Sequence, residues 1–118
     1  MKFTSYKQKF LDDFNRRLDI AMELVAQQGE SNAQDEATKL IYDTPPSPYY
    51  VRTGTLRNSI AHVYDPSTKT ARIGTDLEYA PYVELGTTKM KARPFLLNAV
   101  NNYVKEYEAL LKDALSKL

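Results

Sequence analysis

A helical pattern of apolar residues occupies the N-terminal third of this sequence and raises a problem of length. From Phe3 to Val25, apolar side chains recur at steps of three and four residues, the period of one face of an α-helix. A helix is predicted over 3–26 and again over 30–42, since no proline interrupts residues 1–44. Forty helical residues would extend about 60 Å, whereas a compact globule of 118 residues has a radius of gyration of roughly 13–14 Å.

The mismatch between helix length and globule size leaves two arrangements open. Gly29 is the weak point of the helix, because glycine costs about 1 kcal/mol relative to alanine in a helix interior. Either the helix breaks near Gly29 and folds back as a two-helix hairpin, or it projects and packs on another subunit. The small residues Gly29, Ala33 and Ala37 would suit the close approach of another backbone element.

The middle of the chain, residues 44–93, is predicted to be a proline-rich connector, a β-hairpin and a loop. Three prolines within 45–48 end the helix and impose extended structure. Residues 58–64 and 69–75 have strand character on either side of an Asp-Pro-Ser-Thr turn. Two strands alone are marginal in water, so this sheet must gain strands or lie on a helix. The segment 79–86 predicts a short helical turn closed by glycine.

The last part of the chain, residues 94–118, predicts one further helix of about 36 Å. Pro94 suits a first helical turn, and apolar residues recur at helical spacing after it. The expectation is therefore a single α+β domain over 1–118, divided into an N-terminal helical region (1–43), the middle segment and a C-terminal helix. Both helices would pack on a small antiparallel sheet.

Composition argues against several classes of function. The chain has no cysteine and one histidine, which excludes disulfides, thiolate metal sites, a cysteine nucleophile and a multi-histidine site within one chain. A net charge of +1 argues against a nucleic-acid binder held by bulk charge. The longest apolar runs, of two or three residues, predict no membrane span. Charges in the first turns argue against a signal peptide, so a cytoplasmic protein is the default expectation.

No constellation of residues in the sequence predicts catalysis, a metal site or a cofactor. His62 lies in the middle of a predicted strand and is expected to be packed there or partly exposed. The acids Asp76, Glu78 and Glu84 occur near a bend but lack the spacing of a calcium loop. The chain is therefore predicted not to be an enzyme.

Two features favour an interface. Lys89, Lys91 and Arg93 alternate in a loop without acids, where they could contact DNA phosphates or acids of a protein partner, or be a solvated surface. The chain also has nine tyrosines and no tryptophan. Tyrosines such as Tyr79 and Tyr82 are typical of interfaces, where the ring is buried and the hydroxyl finds a partner, although they could equally cap a small core.

Four motifs in order connect the sequence to a known family. They are RTGTLRNSI at 52–60, GTD at 74–76, YAPYVELGT at 79–87 and ARPFL at 92–96. In this order and spacing they resemble the head–tail neck family of tailed double-stranded-DNA phages and prophages. Its members are called neck, head–tail joining, minor tail or tail-completion proteins. The proline-rich, double-tyrosine stretch at 45–50 departs from shorter members of the family.

The resemblance implies a structural subunit that assembles into a ring between the capsid portal complex and the tail, and so completes the virion. It implies no cofactor, no metal and no membrane. Its partners would be copies of itself and the neighbouring head-completion and tail proteins, with DNA only a passing contact in the lumen. The location would be the head–tail junction, and the host cytoplasm during assembly. A tail terminator or other minor tail component is the alternative, and a small nucleic-acid-binding module is a more distant one.

The expected interface residues come from the first and third motifs and from the basic loop. Arg93 is a candidate for pairing with an acid of a neighbouring subunit. The full set is Arg52, Thr53, Gly54, Leu56, Arg57, Tyr79, Tyr82, Glu84, Gly86, Lys89, Lys91 and Arg93.

Overall fold

A single long helix organises the fold, and the other elements pack along it. The computed structural model describes residues 2–42, 55–88 and 91–116. The architecture is α+β, as predicted. The elements in chain order are α1 (Lys2–Ala37), a π-helical turn (Thr38–Tyr42), α2 (Thr55–Ser59), β1 (Ala61–Asp65), β2 (Thr70–Gly74), α3 (Ala80–Leu85), α4 (Phe95–Asn101) and α5 (Val104–Leu115).

Helix α1 runs through Gly29 without a break, which excludes the two-helix hairpin, whereas packing of the helix on another subunit stays a prediction. A Cβ atom at Gly29 would lie 3.1 Å from Cγ2 of Ile73, so the glycine lets β2 approach the helix closely. Packing against the strand thus offsets the low helix propensity of glycine. The long helix makes the molecule elongated, with extents of 70 × 23 × 22 Å and a radius of gyration of 18.5 Å.

The two strands form one antiparallel hairpin that lies on α1, one of the two solutions that the sequence allowed. Pairing runs from Ala61 opposite Gly74 to Asp65 opposite Thr70. The tight turn carries Lys69 at a φ of 54°, and Asp65 accepts hydrogen bonds from the backbone N–H and the hydroxyl of Ser67. The first predicted strand began too early, because residues 58 and 59 belong to helix α2.

The prediction of one C-terminal helix was wrong, because the chain forms two. Helix α4 ends at Asn101, and the backbone of Tyr103 departs from helical geometry, with φ −123° and ψ 20°. The turn redirects α5 along α1, where the hydroxyl of Tyr103 donates to Glu36 at 3.3 Å. The hydroxyl of Tyr107 accepts a hydrogen bond from Asn32 at 3.1 Å and donates to the carbonyl of Ala99. Tertiary contacts therefore outweigh helical periodicity at this point.

The core lies at the C-terminal half of α1, where α2, α3 and α4 converge. Small residues on α1 leave room for larger side chains from the other elements. Phe95 is the largest fully buried side chain. The buried cluster consists of Ala33, Ala37, Leu56, Ile60, Ala80, Val83, Phe95 and Ala99. Among the helices that the structure describes, none is long and apolar enough to cross a membrane.

Candidate partner interface

Helix α3 presents an exposed apolar face beside the predicted basic loop. Ala80 and Val83 anchor the helix in the core, while Tyr82 and Leu85 are 57% and 78% exposed. Pro81 lies in the first turn of the helix, and Gly86 ends it at a φ of 76°, a left-handed conformation that favours glycine. The exposed tyrosine and leucine are therefore carried by a short helix that is fixed at its other face.

The carboxylate of Glu84 joins α3 to the start of α4. Its Oε1 accepts the backbone N–H of Leu96 at 2.8 Å, and its Oε2 accepts that of Leu97 at 3.1 Å. These donors lie in the first turn of α4, where backbone N–H groups have no partner within the helix and a negative charge is favourable. Since the backbone N–H of Arg93 also donates to the carbonyl of Val83 at 2.8 Å, the intervening loop is held at both ends.

The structure brings part of the predicted interface together. Tyr79, at the start of α3, packs against the core cluster. It lies in one segment with Tyr82, Glu84 and Gly86, and the chain returns to this segment at Arg93 through its backbone bond.

The other predicted residues are placed differently. The side chain of Leu56 is 2% exposed, so it belongs to the core rather than to a surface. Arg57 and Lys91 are exposed. Arg52, Thr53, Gly54 and Lys89 lie outside the described residues.

A polar contact between the hairpin and α1 had no recognisable signal in the sequence. His62 bonds to Glu23 through Nε2 at 2.9 Å and to Glu30 through Nδ1 at 3.3 Å. Nearer the hairpin turn, the hydroxyl of Tyr64 and the ammonium of Lys69 both donate to Asp19, each at 2.6 Å. The partners are at least 32 positions apart in sequence, so only the folded chain reveals them.

The pKa values at this contact follow from its geometry. Partial burial lowers the pKa of His62, but the hydrogen bonds and charges of Glu23 and Glu30 outweigh it and hold the pKa above its ordinary 6.5. Burial, together with the bond to Asp19, raises the pKa of Tyr64 to about 12. The bonds from Lys69 and Tyr64 lower the pKa of Asp19. The contact therefore acts as a polar attachment of the hairpin to the helix, and the described residues contain no cluster suited to a metal ion.

The chain matches a known protein family over most of its length. Residues 1–86 match the family described as "Bacteriophage HK97-gp10, putative tail-component". The chain belongs to this HK97-gp10-like family. It is thus a phage structural component of the tail region, and its location is the virion. No curated protein and no solved structure matches the chain.

The match covers the N-terminal elements of this HK97-gp10-like chain and ends before its two C-terminal helices. Residues 1–86 include α1, the hairpin and all of α3, together with the first two motifs and all but the last residue of the third. The predicted basic loop and helices α4 and α5 follow the matched range. The exposed apolar face of α3 is consequently part of the family region, whereas Lys91 and Arg93 are not.

The HK97-gp10-like chain is expected to lose stability as the pH rises from 6 to 9. Because the pKa of His62 is raised in the folded state, its contribution is complete below about 6.5 and is lost as the pH rises through the folded-state pKa. The loss should stay below about 1 kcal/mol, the range of solvent-screened ion pairs. Urea denaturation at pH 6 and pH 9 measures it. The variant His62→Gln should remove the difference, and an undiminished difference in that variant would contradict the assignment.

Proposed function

We propose that this tail-region component forms a ring at the head–tail junction, where it joins the portal complex to the tail. Family membership supports a structural role in the tail region. The observation that carries the finer proposal is the α3 surface, where Tyr82 and Leu85 are exposed beside a loop with alternating basic residues. An aromatic and an aliphatic side chain with a basic margin form the kind of surface that protein partners cover.

The proposed contact surface consists of α3 and the loop that follows it, and the residues of the first motif before α2 are proposed as contacts from the sequence alone. Glu84 positions this surface, since both of its carboxylate oxygens are engaged with α4. Leu56 supports it from the core. The residues proposed to contact a neighbouring subunit or tail protein are Arg52, Thr53, Gly54, Arg57, Tyr79, Tyr82, Gly86, Lys89, Lys91 and Arg93.

Ring formation requires two different surfaces on each copy, related by a rotation that closes. The elongated shape, 70 Å by about 22 Å, gives the subunit well-separated surfaces for this purpose. The surface around α3 and the loop is proposed as the one that meets a neighbouring subunit or tail protein. Self-association would then build the junction, and no chemical step would be involved.

Reversing the charge of Lys89, Lys91 and Arg93 to glutamate is expected to leave the isolated fold intact and to abolish head–tail joining. The reason is that the basic margin would then repel the acids of its partner. Circular dichroism checks the fold, and complementation of a phage that lacks the gene, scored as infectious particles, checks joining. The control reverses Lys105 and Lys112, two exposed lysines of α5 outside the proposed surface. This control shows whether charge reversal elsewhere on the chain also reduces joining. Normal particle yield with all three loop charges reversed would contradict the proposal.

Electron microscopy of particles made without this protein distinguishes joining from the other roles. A joining subunit predicts filled heads and separate tails. A tail terminator, the alternative that the tail-component description also accommodates, predicts tails of altered length. A nucleic-acid-binding role predicts duplex DNA binding by the purified protein that weakens steeply with salt, whereas the proposed role predicts no tight binding.

A further inference from the structure

The N-terminal part of α1 extends past every other described element. Helix α5 runs back along α1 as far as the region where Leu110 and Ala114 line a shallow hollow with Arg17. The hairpin turn ends at about the same level, where Lys69 meets Asp19. The preceding residues of the helix, 2–16, are here called the arm. They add about 22 Å of helix at 1.5 Å per residue.

The arm carries an aromatic pair, of which Phe10 is exposed and Phe14 is half-buried. Phe10 is 58% exposed, and its ring stacks on that of Phe14 with centroids 6.4 Å apart. Leu11, also on the arm, is 41% exposed. At a spacing of four residues, Phe10 and Phe14 continue the helical face on which Ala21 is fully buried. The same face of α1 is therefore covered beside the body of the protein and open on the arm.

An apolar groove of about 390 Å³ lies on the body of the same chain. Its floor is α1 at Ala26 and Gly29, one wall is β2 at Ile73, and the other wall is formed by Val100 and Tyr107. Val100 is 50% exposed, so the groove opens to solvent. A groove with an apolar floor and walls is the geometry into which an amphipathic helix inserts anchors spaced at i and i+4.

The arm cannot reach the groove of its own chain, because both belong to one unbroken helix. Phe10 and Gly29 are separated by about 28 Å along its axis at 1.5 Å per residue. We infer that the aromatic pair Phe10 and Phe14 of one copy inserts into the groove of a second copy. In a ring, this contact repeats head-to-tail from copy to copy, because the arm and the groove are different surfaces.

The rim of the groove has the chemistry to receive aromatic rings. Arg72 is exposed at the rim and forms no ion pair with any described residue. A guanidinium placed over an aromatic face is attracted by the ring quadrupole, by about 0.5–1 kcal/mol at an exposed site. The aromatic pair of the arm, with Phe10 exposed, therefore complements both the apolar groove and its basic rim.

The contact is small, which determines how it would operate. Two phenylalanines bury about 300–500 Å² on the arm. With a matching area on the groove, the interface totals about 600–1,000 Å², below the roughly 1,200 Å² that stable complexes exceed. Each contact is accordingly weak, and a series of them gains strength when copies are held close together. This inference goes beyond the proposed function, since it names a second contact between copies of this chain, formed by the arm and the groove and separate from the α3 surface.

Sedimentation of the purified full chain over a range of concentrations tests the arm. Wild type is expected to associate at high concentration, and Phe10→Ser is expected to weaken that association at least tenfold. Ile20→Ser is the matched control, because Ile20 is 56% exposed on another face of the same helix, and it should change association less than threefold. Equal behaviour of the two variants, or wild type that stays monomeric at about 1 mM, would overturn the inference.

The groove has its own matched pair of variants. Val100→Glu places a charge in the groove and should weaken association as strongly as Phe10→Ser. Val104→Glu, at a residue that is 46% exposed and lies outside the groove, should not. Phe10→Ser and Val100→Glu each disrupt the same contact between arm and groove, so their effects on association should be non-additive when they are combined. Any effect of Val104→Glu should add to that of Phe10→Ser, because Val104 lies outside this contact. Additive effects in both combinations would exclude a direct contact between arm and groove.

Cross-linking separates a second copy from other occupants. A photoreactive phenylalanine replaces Phe10, and unlabelled and ¹⁵N-labelled copies are mixed in equal amounts. Mass spectrometry should find mixed-isotope links from position 10 to Val100, Tyr107 or the adjoining strand. Links between two arms, or in assembled particles only to another tail protein, would overturn the inference. These outcomes are distinguishable from failure of head–tail joining, which the complementation assay measures separately.

Discussion

Replacement of Phe95 by alanine is expected to lower the free energy of unfolding by about 3–5 kcal/mol. Phe95 begins α4, is 0% exposed and is the largest fully buried side chain of the described residues. Truncation removes the transfer free energy of the ring and leaves a cavity where α2, α3 and α4 meet α1. In a domain with a total stability of about 5–15 kcal/mol, a loss of this size is a large share.

Urea denaturation of the full chain measures the effect, with Leu97→Ala as the matched control. Leu97 lies on the same helix two residues later and is 56% exposed, so its truncation should cost less than about 1 kcal/mol. Because α3 is anchored in the same core, Phe95→Ala should also reduce head–tail joining. A loss below about 1 kcal/mol for Phe95→Ala would show that the core is not centred on this residue.

Replacement of Gly29 by leucine is the second large expected effect, with a loss of about 1–3 kcal/mol or more. Leucine is a better helix former than glycine by most of 1 kcal/mol, so local propensity alone predicts stabilisation. The Cβ atom would already lie 3.1 Å from Ile73 Cγ2 and 3.8 Å from the hydroxyl of Tyr107. The remaining leucine atoms would push the hairpin and α5 away from α1, and this strain is expected to exceed the gain in propensity.

The same substitution at Gly74 is the control for Gly29→Leu. Nothing lies within 4 Å of a Cβ atom at Gly74, which is at the end of β2, so leucine there should change stability by less than about 1 kcal/mol. Thermal denaturation compares the two variants at one pH. A Gly29→Leu protein as stable as wild type would mean that the hairpin is not closely packed on the helix at this point.

Much of the secondary structure could be predicted because it depends on local patterns. The period of three and four residues identifies the N-terminal helix, an Asp-Pro-Ser-Thr turn identifies the hairpin, and a proline and a glycine bracket α3. The break between α4 and α5 could not be predicted, since apolar periodicity continues across it. That break follows from contacts of Tyr103 and Tyr107 with Glu36, Asn32 and Ala99.

The candidate site was only partly accessible from the sequence. The motif around Tyr82 and Leu85 marks a segment, but exposure of these residues depends on which side of α3 meets the core. Glu84 shows what sequence patterns miss. It was expected at a subunit contact, whereas its carboxylate accepts a hydrogen bond from the start of α4, twelve residues away. Such a bond joins groups brought together by folding, and no spacing rule identifies it.

The amino-acid sequence by itself determined that the N-terminal third of this chain would be helical, that its hairpin would need a support, and that it has no cysteine or histidine cluster for chemistry. These conclusions follow from the repeat of side chains along a helix or strand, which is a local property. Only the tertiary structure decided that the helix passes through Gly29 and extends beyond the other described elements. It also decided that an aromatic arm and an apolar groove are both exposed on one chain. Those outcomes depend on how closely elements distant in sequence can approach, which is set by packing in three dimensions.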